Sequence, residues 1–299
     1  MPGLSKMKNL IIVTGGAGFV GSNLIELLLE KTKYKIISLD NYSSGSKKNH
    51  IISNRVKYIF GNTLNIEKIL SKYKKEIHSI FHFGEFSRIF QSFKKFEECY
   101  ESNSLGSNAV FKFCLHNKIK LVYSATSATL GNKGKDKDLS PYAFTKSKNL
   151  ELLENLKKWF NFKYEIIYFY NLYGPNQICE GDMATVIGIF EKCIKTNNPL
   201  TVVKPGSQSR RFTHVYDAVE VCYDAWRLNK CRHYSISHRK TFKIIEVAKL
   251  FSKNIVYLPN RAGERYASAL TKMNLSNRVY RRFGKIDLKN YIKQFLQNI

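Results

Sequence analysis

The stretch from Asn9 to Asp40 constrains the fold more than any other. Asn9-Leu-Ile-Ile-Val-Thr14 is a short β-branched apolar run and reads as a strand buried on both faces. Gly15-Gly-Ala-Gly-Phe-Val-Gly21 follows at once, and from Ser22 to Lys31 apolar residues return at Leu24, Leu27 and Leu28 with a helical period. Gly16, Gly18 and Gly21 satisfy G-x-G-x-x-G, while Gly15, Gly18 and Gly21 satisfy the related G-x-x-G-x-x-G. A tight turn, and close approach of backbone to a pyrophosphate, both need residues without a Cβ. The N-terminus of the helix that follows then offers free N–H groups and the positive end of its dipole, with Phe19 and Val20 among the residues expected to touch the cofactor. Asp40 closes the next strand, Lys35-Ile-Ile-Ser-Leu-Asp40, about 20 residues on, where an acid accepts from a ribose 2′-hydroxyl and repels a 2′-phosphate. The bland alternative is a glycine turn beside a capping Asp. The strand–turn–helix context favours a dinucleotide, and Asp40 favours NAD over NADP.

Further apolar runs at Val56–Phe60, Ser79–Phe83, Lys120–Ser124 and Tyr164–Tyr170 read as strands. Helical patterns at Ile66–Tyr73, Glu97–His116 and Tyr142–Trp159 lie between them. The expected fold is α/β: a Rossmann-type doubly wound parallel sheet with a smaller C-terminal α/β substrate-binding lobe. Residues 1–174 would form the dinucleotide domain and 175–299 mainly the lobe, with some segments returning to the first domain. Beyond Gly174-Pro175 the rhythm changes. Short strands are expected at Leu200–Val203, Arg211–Val215 and Ile255–Leu258, and helices at Asp182–Lys195, Asp217–Leu228 and Thr241–Phe251. A last helix carries Leu288, Tyr291, Ile292, Phe295 and Leu296.

Composition narrows the class. Hydrophobic residues make up 43% of the 299, enough for a sizeable core. No apolar run reaches the roughly 18–20 residues of a membrane span, and Met1–Lys8 has no long apolar stretch, so a cytoplasmic protein without a signal peptide is expected. The formal net charge of +26 suits anionic partners. The excess is scattered Lys rather than a basic tract interleaved with aromatics, so nucleic acid is disfavoured. The six cysteines form no C-x-x-C pair and no cluster with His, which argues against a metal site and for reduced thiols.

Tyr142-Ala-Phe-Thr-Lys146 sets a phenol and an ammonium one helical turn apart. A phenol with a pKa of about 10 is a poor base at neutral pH, and a nearby cation stabilises its phenolate. The pair is a candidate for taking a proton from a carbinol as hydride leaves the same carbon; a surface i,i+4 pair is the alternative. Tyr123-Ser-Ala-Thr126 ends a strand at the edge where α/β ligands bind, so the Thr126 hydroxyl could reach the reacting oxygen.

With these motifs in order, the chain resembles the extended short-chain dehydrogenase/reductases, in the branch of NAD-dependent nucleotide-sugar epimerases and dehydratases, and is most similar in its ribose segment to UDP-glucose 4-epimerases. Thr14-Gly-Gly-Ala-Gly-Phe-Val-Gly-Ser22 resembles the family's cofactor loop and Asp40-Asn41-Tyr-Ser43-Ser-Gly45 its ribose segment. The resemblance implies cofactor contacts from Asn62, which stands where the family has an adenine-binding Asp, from Phe83 and Gly84, and from Asn103. It makes Thr126, Tyr142 and Lys146 a catalytic triad. Asn171-Leu-Tyr-Gly-Pro175, Gln208-Ser-Arg210-Arg-Phe-Thr-His-Val215 and Arg261-Ala-Gly-Glu264 resemble substrate motifs, in which Asn171, Arg210 and Arg261 would grip a nucleoside diphosphate. A homodimer through the helices at Glu97–His116 and Tyr142–Trp159 is likewise implied.

Departures matter as much. Relatives usually carry small residues where Gly84 and Glu85 stand, so Glu85 is unusual; with Ser87 it borders the expected sugar site. An ion pair with Arg88, three residues on, is the first expectation for Glu85, ahead of a sugar contact or acid/base chemistry. For His82, core packing or a local hydrogen bond is expected, and for Arg211 a solvated charge. The link from Thr126 to Tyr142 is also shorter than usual in such proteins. Ser127-Ala128 follow Thr126 where 4,6-dehydratases have Asp-Glu. The leading expectation is therefore C4 epimerisation of a nucleotide sugar through a 4-keto intermediate. The rivals are a dehydratase or net oxidoreductase using Glu85, and a non-enzymatic NAD-binding regulator or RNA-binding protein.

Overall fold

The structure, a computed structural model, describes residues 8–260 and 279–299. Strand β1 (Leu10–Thr14) is buried along its whole length, as its unbroken apolar run requires. On one side it pairs in parallel with β2 (Lys35–Asp40), which pairs with β3 (Val56–Phe60). On the other it pairs with β4 (Ile77–His82), followed by β5 (Lys120–Thr126) and β6 (Tyr164–Phe169). The order β3-β2-β1-β4-β5-β6 is that of a doubly wound sheet whose topological switch lies between β1 and β4.

Helices cover both faces. Helix α1 (Phe19–Lys31) follows the glycine turn, and α2 (Ile66–Leu70), α3 (Gln91–Lys94) and α4 (Phe96–Tyr100) come next. From α4 the chain passes through a wide π-helical turn at Glu101–Gly106 into α5 (Ser107–His116). Helix α6 (Pro141–Phe160) starts sharply: the Ser140 hydroxyl accepts from Ala143 N, and Pro141 occupies the first turn, where its missing N–H costs nothing. It stops at Asn161, whose φ of 52° leaves the helix in the left-handed region. One apolar cluster, with Phe111, Phe113, Tyr123 and Leu153, packs under α5 and α6. A second, with Leu24, Leu28, Phe81 and Trp226, fills the opposite face.

Beyond residue 174 several expectations need correction. After β7 (Leu172–Tyr173), helix α7 begins at Val186, not Asp182: Gly181 has a φ of +74° and the Thr185 hydroxyl caps Gly188 N, so 182–185 belong to a strap. After β8 (Leu200–Val203), the strand expected at Arg211–Val215 is split into β9 (Ser209–Arg210) and β10 (Thr213–His214), and helix α8 (Val215–Leu228) starts earlier than expected because His214 Nδ1 accepts from Tyr216 N. Two unexpected strands, β11 (His233–Ser237) and, near the C-terminus, a strand at 279–283, extend the main sheet past β6, both parallel. Residues 242–243 form β12, paired antiparallel with β9, so α9 (Ile244–Phe251) starts later than Thr241. Then β13 (Ile255–Leu258) pairs with β8, β14 (Val279–Phe283) closes the sheet, and α10 (Leu288–Gln297) is capped by Asp287. Tyr173, Phe190, Val247 and Ile292 form the core of this smaller lobe. The lobe stands over the carboxyl ends of the sheet, which leaves a cleft at the switch point.

Candidate active site

The cleft encloses about 510 Å³, ample for a small-molecule ligand. At one end is the glycine turn. Gly15 has a φ of +69°, and a Cβ there would stand 2.7 Å from Gly84 N. A Cβ on Gly21 would stand 2.1 Å from Gly15 O, so only glycine lets the turn close this tightly against α1. No side chain caps the start of α1 at Gly18, which leaves an anion-binding helix end facing the cleft. Gly15, Gly18, Phe19, Val20 and Gly21 all line it.

Asp40, at the end of β2, also lines the cleft; its Oδ2 accepts from Ala17 N at 2.9 Å and its Oδ1 from Tyr42 N at 2.8 Å. Burial raises the pKa of its carboxyl, and those two backbone bonds oppose the rise. Asn41 and Ser43 line the wall beside it, whereas Gly45 lies behind Asp40 and is not among the lining residues. Asn62 lines the wall too; its Oδ1 accepts from Leu64 N and its Nδ2 donates to Glu101, so one of the two acceptor sites of its oxygen is used locally.

The opposite end gathers Thr126, Tyr142 and Lys146 with Glu85 and Ser87, while Phe83 and Gly84, against Gly15, line the stretch between the two ends. Burial pushes the Tyr142 phenol up to about 12; a hydrogen bond with Thr126 opposes this, the Glu85 charge adds to it, and the Arg88 charge counters it. The Lys146 ammonium donates to Glu85 Oε2 and to Ser124 O and lies 4.6 Å from the centre of the Tyr123 ring. Burial lowers its pKa, and the Glu85 charge opposes that fall. The ion pair expected between Glu85 and Arg88 does not form. Glu85 pairs with Lys146, and Arg88 donates instead to Met183 O and to the Ser87 carbonyl and hydroxyl.

Sequence reading missed the residues that seat Glu85. Ser107 Oγ and Tyr123 Oη donate to its Oε1 at 2.7 and 2.9 Å, and Asn149 Nδ2 reaches it at 3.3 Å. One signal was present: Asn149 lies three residues after Lys146 on α6 and so shares its face. His82 makes the local bonds expected of it, Nδ1 to Thr14 Oγ1 at 2.7 Å and Nε2 to Ser107 Oγ at 2.9 Å. Its burial lowers its pKa to about 4, so the ring is neutral. Asn103, in the π-helical turn, does not line the cleft. It clamps the loop after β4 from behind, accepting from Phe86 N at 2.7 Å and donating to Phe86 O at 3.0 Å.

Asn171 and Arg210 reach the cleft from the lobe side, together with Gln208. Arg211 turns away and, rather than standing in solvent, donates to the carbonyls of His238 and Arg239. Arg261 and Glu264 lie outside the described residues. Among the described residues no group of three or more His, Cys, Asp or Glu could hold a metal ion, and no helix is long and apolar enough to cross a membrane.

The model of the NAD dependent epimerase/dehydratase family matches residues 11–237. An uncharacterized UDP-glucose epimerase of Bacillus subtilis is 30% identical over 230 residues, covering 70% of this chain and 70% of its own. An ADP-L-glycero-D-manno-heptose-6-epimerase of Brachyspira hyodysenteriae is 30% identical over 228 residues, covering 71% of this chain and 70% of its own. The solved structure of a UDP-N-acetylglucosamine 4-epimerase from Methanobrevibacter ruminantium, in complex with UDP-N-acetylmuramic acid, superposes with a TM-score of 0.81 at 25% identity over 97% of this chain and 96% of that one.

Proposed function

From the chain's membership of the NAD-dependent epimerase/dehydratase family, we propose that it epimerises a nucleotide sugar at C4 through a 4-keto intermediate. One observation carries the choice of epimerisation over water loss. Among the described residues lining the cleft, the carboxylates are Asp40 and Glu85. Asp40 stands at the glycine-turn end, and Glu85 is bound to Lys146 with both oxygens engaged. Neither is placed as a free acid or base beside Tyr142, and elimination of water needs such a pair.

The cradle fits a dinucleotide by the glycine contacts and the uncapped start of α1. NAD bound there supplies a hydride acceptor that can give the hydride back. Tyr142 takes the proton of the C4 hydroxyl and later returns it, so the step needs no net proton exchange with water. Thr126 hydrogen-bonds at the same point. Lys146, expected to lower the phenol's pKa, is instead neutralised by Glu85; the Thr126 hydrogen bond and the Arg88 charge, together with the charge of the oxidised ring, offset the rise that burial imposes on the phenol. Gly15 to Gly21, Asp40, Asn41 and Ser43 would hold the dinucleotide, with Asn62, Phe83 and Gly84 along its length. Asn103 would act only through the Phe86 loop. Asn171 and Arg210 would fix the diphosphate; Arg is suited to bidentate phosphate contacts. Ser87 would border the sugar.

Family frequency makes UDP sugars the first choice. Exposed Phe96, Tyr100, Phe144 and Trp159 on and around α4 and α6 support a homodimer through those helices. The test is incubation with UDP-glucose, UDP-N-acetylglucosamine and GDP sugars, with products followed by NMR. A C4 epimer is the expected product; loss of water or accumulating NADH would replace the reading with dehydration or net oxidation.

A further inference from the structure

The buried pair of Glu85 and Lys146 is more than the proposed proton transfer needs. Their side chains are 2% and 4% exposed. Donors converge on the carboxylate: the Lys146 ammonium, the hydroxyls of Ser107 and Tyr123 and the Asn149 amide, with the Ser124 hydroxyl shared between it and the His82 carbonyl. An ionised carboxylate is acceptor-only, so this seat is built for the charged form. The pair also stands where it can act on a bound dinucleotide. Gly84 abuts Gly15 of the glycine turn, Glu85 is the next residue, and Glu85, Lys146 and Tyr142 line one stretch of the cleft.

We propose that Glu85 is the counter-ion that biases the bound dinucleotide toward its oxidised form. The inference rests on the reading above, in which the redox end of the cofactor lies beside Tyr142. The oxidised nicotinamide carries a positive charge and the reduced ring carries none. A lone Lys146 would disfavour the oxidised ring; paired with Glu85 it presents almost no net charge. Arg88 adds its charge to the same end of the cleft, and His82 is neutral, so neither supplies the compensation. The bias suits an isomerase, because it favours return of the hydride to the sugar over release of a ketone.

The experiment measures dissociation constants of NAD and NADH for nucleotide-free protein, by calorimetry and by NADH fluorescence. It compares the wild type, Glu85→Gln, Lys146→Met and the double variant. The readout is the ratio of the NADH constant to the NAD constant. Ribose contacts and packing affect both forms alike and cancel in the ratio; charge does not. Glu85→Gln is expected to lower the ratio about tenfold, equivalent to about 30 mV in the bound couple. Lys146→Met is expected to raise it by about the same factor, and the double variant to restore it to within about threefold of wild type. A ratio within about twofold of wild type in Glu85→Gln overturns the proposal, as does a double variant that fails to restore it. If Gln at 85 prevents folding, Glu85→Ala in the Lys146→Met background decides: its ratio must fall about tenfold below that of Lys146→Met, and an unchanged ratio overturns the proposal. Failure to epimerise any nucleotide sugar would remove the functional reading and leave this ratio standing.

Discussion

The two ends of the cleft are built on different terms. The glycine-turn end is made of backbone within one continuous stretch: Gly15 to Gly21 shape it, and Asp40 is fixed by N–H groups of Ala17 and Tyr42. The reactive end is made of side chains from four separate segments. Glu85 follows β4, Ser107 opens α5, Tyr123 and Ser124 lie in β5, and Lys146 and Asn149 come from α6. Local backbone sites are robust to their surroundings. A side-chain network depends on how far-separated segments happen to be packed, and each member is costly to remove once buried.

Tyr142→Phe breaks the reactive end alone. Turnover should fall by about 10³, as expected for loss of a general base, while NAD affinity changes less than about threefold. Parallel loss of NAD binding would show that the two ends are not separable.

His82 joins the ends, bonded to Thr14 at the end of β1 and to Ser107 beside Glu85. Its pKa is about 4 in the fold against 6.5 for the free side chain. Between those values the unfolded chain binds the proton and the fold does not. Stability is therefore complete above pH 6.5 and declines as pH falls toward about 4, by roughly 3 kcal/mol from this residue. Chemical denaturation across that window should show a flatter slope in His82→Gln than in wild type; equal slopes would mean that the imidazole is not the titrating group.

Gly21→Ala breaks the glycine-turn end. Its Cβ meets the Gly15 carbonyl, so the turn must open. NAD affinity should drop by about 10- to 30-fold, or roughly 1–2 kcal/mol, while the pH slope of stability stays as in wild type. A smaller loss would indicate that the turn relaxes without disturbing the phosphate site.

How much could be read in advance follows the same division. The β1–turn–α1 unit, Asp40 and the α6 placement of Tyr142 and Lys146 were legible because each depends on neighbours a few residues away. That the first six strands form one parallel sheet with helices on both faces followed from the alternation of strands and helices; their order came from the structure. The Glu85 partner was misread because the sequence offers Arg88 three residues on, whereas Lys146 lies 61 residues away. β11 was missed because His233-Tyr-Ser-Ile-Ser237 looks half polar; both its faces are nevertheless covered, and Ser235 and Ser237 are buried. The α7 boundary was misplaced because a left-handed Gly181 and a Thr185 cap outweighed the helical pattern ahead of them.

The sequence by itself determined where a dinucleotide could lie, since glycine spacing acts through sterics between adjacent peptides. It also determined that a phenol and an ammonium share one helical face. Only the tertiary structure decided what that ammonium binds. Electrostatics in a buried site depends on distance in space and on exclusion of water, and neither quantity is written in the spacing of residues along the chain.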